Sequence, residues 1–115
     1  MKVAIVAVGR MKAGPEKELA GRYLERLIKV APALGLEFAG VDEIAEGRAA
    51  DASSRKSDEA QRMRERIRPG SAVIILDERG KALSSERFAS LIAEIRDAGQ
   101  RELVFAIGGP DGHDA

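Results

Sequence analysis

The chain has 115 residues, 44% hydrophobic and 33% charged, which suffices for one compact core and leaves no room for a second domain. Nineteen basic residues balance nineteen acidic ones, so attraction to nucleic acid has to come from a local patch and not from an overall positive field. One Tyr, three Phe and no Trp argue against an aromatic base-stacking surface, and the absence of Cys excludes disulfides, thiolate metal sites and a cysteine nucleophile.

Val3 to Val8 is an unbroken apolar run that stops at Gly9, the pattern of a strand covered on both faces and central in a parallel sheet. It is too short for a membrane span and lacks a signal-peptide cleavage pattern, so the expectation is a cytoplasmic protein with no membrane contact. After Gly14-Pro15, the spacing of Leu19, Tyr23, Leu24, Leu27 and Ile28 predicts a helix with one apolar face, ending near Ala31-Pro32. Leu36 to Ile44 is a weaker strand, its Gly and acidic residues pointing to a marginal sheet position.

Ser53 to Arg68 reads as a very polar helix with a narrow stripe of Ala60, Met63 and Ile67, broken by Pro69-Gly70. Ser71 to Leu76 is expected to be a second buried strand. Ser84-Ser85 offer caps for a helix carrying Phe88, Leu91, Ile92 and Ile95 and stopping at Gly99, and Leu103 to Ile107 is a fourth strand. The order β-α-β-α-β-α-β implies a parallel sheet covered by helices, with ligands bound at the carboxyl ends of its strands. That rule nominates Gly9-Arg10, Leu76-Asp77 and Gly108-Gly109-Pro110-Asp111-Gly112.

The glycine loop suits close backbone approach to a ligand, yet it is neither G-x-G-x-x-G nor a Walker loop. An ordinary turn reads the same way locally. Leu76 can floor an apolar slot, or can simply be a core leucine before a turn-forming Asp77. His113, the sole histidine, has no partners at ligand spacing, so no metal site is expected; Ser53, Ser54, Ser84 and Ser85 are read as helix caps, since no histidine lies near to activate them. Between Arg48 and Arg68, seven basic residues outnumber four acidic ones, which fits either phosphate contact or a solvated helix face.

Taken in order and spacing, Met1-Lys2-Val3-Ala4-Ile5-Val6-Ala7-Val8-Gly9-Arg10, Tyr23-Leu24-Glu25-Arg26, Leu76-Asp77-Glu78-Arg79-Gly80 and Ile107-Gly108-Gly109-Pro110-Asp111-Gly112 resemble the ribosomal RNA large-subunit methyltransferase H family. That family belongs to the SPOUT class of α/β-knot enzymes. The resemblance implies methyl transfer from S-adenosylmethionine to N3 of a pseudouridine in large-subunit ribosomal RNA. It also implies a homodimer whose partner is the large ribosomal subunit or the assembled ribosome.

By position it places cofactor contacts on Leu76, Gly108 and Gly109, and turns Arg48, Arg55, Lys56 and Arg62 toward RNA. No residue is assigned as catalytic base. Family members continue past the glycine loop through a helix, a strand, a threaded cofactor loop and a last helix with a histidine-containing tail. The expectation is therefore an incomplete α/β-knot domain, lacking its knot-forming segment and impaired by itself. A non-catalytic nucleotide- or RNA-binding module on a flavodoxin-like scaffold is the alternative reading.

Overall fold

A computed structural model describes residues 1–114. Four strands, β1 (Lys2–Val8), β2 (Glu37–Ile44), β3 (Ala72–Leu76) and β4 (Glu102–Ile107), form one sheet in the order β2-β1-β4-β3. Every pairing is parallel. The connecting helices are α1 (Pro15–Val30), α2 (Ala52–Arg66) and α3 (Ser85–Asp97), so the α/β architecture with a parallel sheet is as the patterning predicts.

The core lies on both sides of the two internal strands. Val6, Val8, Val104 and Ala106 pack with Ile44 and with Met63 of α2 on one face. Val3, Leu103 and Phe105 pack on the other, against Phe88, Ile92 and Ile95 of α3. Phe88 and Phe105 meet with centroids 5.7 Å apart and ring planes inclined at 43°, a favourable tilted contact. Leu103 through Ala106 are all buried, as expected of a strand with covered neighbours on both sides.

Three expectations need correction. β3 is an edge strand and not a buried one: Val73, Ile75 and Leu76 are exposed, because its apolar run has a neighbour on one side alone and no helix over Val73 and Ile75. In α1 no residue is fully buried, and Leu19, Tyr23 and Ile28 of its predicted apolar face stand largely in solvent. The cap of α2 is Asp51, whose carboxylate accepts from Ser54 N–H at 2.9 Å, so Ser53 and Ser54 lie inside the first turn. Ser84 does cap α3, accepting from Arg87 N–H. The helix α1 hands over to a 3-10 turn, Ala31–Leu34, closed by Gly35 in the left-handed region at φ 72°.

β2 occupies the other edge, which suits its acidic, glycine-containing sequence. From β1 the chain moves outward to β2, then crosses to the opposite side of β1 for β3 and β4. The switch in direction therefore falls between β1 and β4, and it sets Val8-Gly9 beside Ile107-Gly108. Among the described residues, no helix is long and apolar enough to cross a membrane.

Candidate cofactor and nucleic-acid site

The three nominated strand ends are brought together at the carboxyl edge of β1, β4 and β3. A cleft of about 240 Å³ is lined by Leu76, Asp77, Glu78 and Ile107 through His113. On the other side of the glycine loop, an apolar groove of about 630 Å³ runs between α1 and the sheet, bounded by Ile5, Ala7, Tyr23, Leu24, Val41 and Ile107 to Pro110. Ile107 through Pro110, with Gly108 and Gly109 at their centre, are the shared wall of both. A further cavity of about 540 Å³, lined by Lys2, Arg68–Ser71 and Gly99–Glu102, sits at the amino ends of the strands, where parallel sheets do not ordinarily bind ligands.

The glycines are fixed by packing. A methyl group on Gly109 would stand 2.9 Å from Val8 Cγ1, and one on Gly108 would lie 3.1 to 3.2 Å from Gly112 and His113. Gly112, at φ 84°, closes the turn by donating its N–H to Gly109 O at 2.9 Å. A turn so tightly drawn presents backbone rather than side chain to anything in the cleft.

Leu76 is 45% exposed and lies at the cleft edge, so its side chain can offer an apolar ledge. Its carbonyl lies 3.0 Å from His113 Nε2, which fastens the far end of the loop to β3. Asp77 is paired with Arg79 at 2.9 Å and also accepts from Arg79 N–H. Those hydrogen bonds hold its carboxyl down at about 2, so at neutral pH it is ionised and a weak proton acceptor.

The basic stretch divides in two. Arg55 donates to both carboxylate oxygens of Asp111, at 2.7 and 3.2 Å, and to the carbonyls of Ala49 and Ala50. This ion pair lowers the Asp111 carboxyl from its ordinary value and raises the guanidinium, each mainly through the side-chain hydrogen bond between them. Arg62 donates to Ala45 O at 3.0 Å, and Arg66 grips the Asp42 carboxylate at 2.8 Å. Arg48 is exposed on the same loop, and Lys56 is half-buried one residue after Arg55. The structure thus spends Arg55 and Arg62 on shaping the 45–51 loop that carries Arg48.

Sequence reasoning placed Asp111 in the nominated glycine loop without its Arg55 partner, and missed Glu59 and Gly47. Glu59 is buried and accepts from Gly47 N–H at 2.8 Å, while a Cβ on Gly47 would strike the Arg55 backbone at 2.8 Å. The one available signal was spacing, since Arg55, Glu59 and Met63 share a helix face at intervals of four.

A family model described as "Predicted SPOUT methyltransferase" matches residues 1–115. The chain belongs to the SPOUT methyltransferase family. A protein of Brucella anthropi named "Ribosomal RNA large subunit methyltransferase H" is 60% identical over 114 residues. Proteins of the same name from Mesorhizobium japonicum and Rhizobium meliloti are 59% and 56% identical. Each match covers 99% of this chain and 71% of the relative. A SPOUT methyltransferase needs a methyl donor, and the strand-end cleft is the place that the parallel-sheet rule nominates for a ligand.

The wall fits a flat ring and a backbone-contacted chain in kind: an apolar ledge at Leu76 faces glycine backbone across the cleft. At about 240 Å³ the cleft alone is smaller than most small-molecule sites, which begin near ~300 Å³; with the adjoining groove the space is ample.

Proposed function

We propose that this chain is an S-adenosylmethionine-dependent methyltransferase acting on N3 of a pseudouridine in large-subunit ribosomal RNA, and that it works as a homodimer on the large ribosomal subunit or assembled ribosome. The observation that carries the reading is the meeting of Leu76, Gly108 and Gly109 at one cleft in a chain of this family. Relatives named for ribosomal RNA methylation support the substrate class.

Leu76, Gly108 and Gly109 would hold the cofactor, Leu76 by apolar contact with a ring and the glycines by close approach of their backbone. Bound there, the cofactor supplies an electrophilic methyl group on a sulfonium. The protein's part is then chiefly alignment of the acceptor nitrogen with that methyl, together with removal of the imide proton. Asp77 is unsuited to take that proton, because its carboxyl is held at about 2. Arg48 and Lys56 would contact RNA phosphates, with Arg55 and Arg62 fixing the loop that presents them.

The test is transfer of labelled methyl from S-adenosylmethionine to ribosomes that lack the modification. Label in large-subunit ribosomal RNA is the expected result. Binding to that RNA with no transfer would instead favour the non-catalytic module.

A further inference from the structure

Glu59 is 4% exposed, and its two carboxylate oxygens have different fates. Oε2 accepts the Gly47 N–H at 2.8 Å and so holds the 45–51 loop against α2. Oε1 is sealed from solvent and has no hydrogen-bond partner among the described residues. A buried carboxylate oxygen without a donor is costly, and native proteins rarely leave one unpaired in every state they visit. The backbone passing over it belongs to the glycine loop: a Cβ on Gly109 would stand 3.4 Å from Oε1. One turn earlier on α2, Arg55 grips the same loop through Asp111 and the 45–51 loop through Ala49 and Ala50.

We infer that Glu59 is a positioning residue linking the two loops: when the cofactor seats, a backbone N–H of Gly108, Gly109 or Asp111 turns onto Oε1 while Oε2 keeps Gly47. Gly109 allows the movement because it carries no side chain between the carboxylate and Val8. Seating the cofactor then stiffens the loop that carries Arg48, so the pose of the cofactor wall and the presentation of the basic loop are set together. This rests on the glycine loop being the cofactor wall.

The test compares wild type with Glu59→Gln in the full chain, by S-adenosylmethionine titration, melting temperature and amide hydrogen exchange. Gln retains one oxygen for Gly47 but offers an amino group to the glycine loop, which cannot accept a hydrogen bond. The expected result is a melting temperature shifted by less than about 3 °C, with cofactor affinity weakened about tenfold. In wild type alone, cofactor should slow exchange at a Gly108–Asp111 amide about tenfold or more.

Equal affinity in the two proteins overturns the link while leaving the cofactor site standing. A wild type that does not bind S-adenosylmethionine overturns both. If the Gln variant does not fold, wild-type exchange at the Gly47–Ala50 amides, outside the cofactor wall, decides: slowing on cofactor binding supports the link and unchanged exchange overturns it.

Discussion

Replacing Gly109 with Ala would put a methyl group 2.9 Å from Val8 Cγ1, an overlap that one of the two must move to relieve. Overpacking of this kind costs about 1–3 kcal/mol, and Val8→Ala in the same chain should return part of it, measured by urea unfolding. Gly112→Ala meets nothing within 4 Å among the described residues but forces a side chain into φ 84°, so no second-site truncation should rescue it. The Asp77 carboxyl offers a pH test. Its folded value, about 2, lies below the unfolded carboxylate range near ~3.9, so the stabilisation it brings is present above about pH 4 and fades as pH falls through 2. Following its carboxyl carbon shift by NMR should show a midpoint near 2, and Arg79→Ala should raise that midpoint toward the ordinary range.

At the scale of elements, β4 carries the fold and the outer elements are less firmly held. Leu103 is fully buried between neighbours on both sides, and Leu103→Ala should cost about 2–5 kcal/mol in chemical denaturation. Ile75, 57% exposed on edge strand β3, should accept Lys with a change of about 0.5 kcal/mol or less and with reduced self-association in sedimentation velocity. The four strands and three α-helices were legible from hydrophobic period and breakers, because Pro15, Pro32, Pro69 and Gly99 punctuate them; the 3-10 turn closed by Gly35 was not. The edge position of β3 was not, since a run such as Ala72-Val73-Ile74-Ile75-Leu76 has the same composition whether or not a second neighbour covers it. Glu59 was hidden for the opposite reason: a carboxylate among the charges of α2 reads as solvent-facing, and the partner that buries it, Gly47, lies across a loop. Arg55 and Arg62 likewise read as free cations, because Asp111 is 56 residues away and Ala45 O is backbone.

For the whole molecule, a balanced charge means that an anionic partner can be met only by a local patch, and the parallel sheet nominates its carboxyl end for a ligand. That Leu76, Gly108 and Gly109 lie at one end of the sheet was legible through the strand-end rule; that α2 braces the loop from behind needed coordinates. The apolar groove beside α1 adjoins that end of the sheet through the glycine loop, which lines the groove and the cleft alike. The most direct measurement is therefore a backbone NMR titration with S-adenosylmethionine. The account predicts shift changes concentrated at Leu76, Asp77 and Ile107 through His113, spreading to Gly47 and Glu59. An unchanged spectrum, or changes confined to Lys2, Arg68–Ser71 and Gly99–Glu102 at the other end of the sheet, would contradict it.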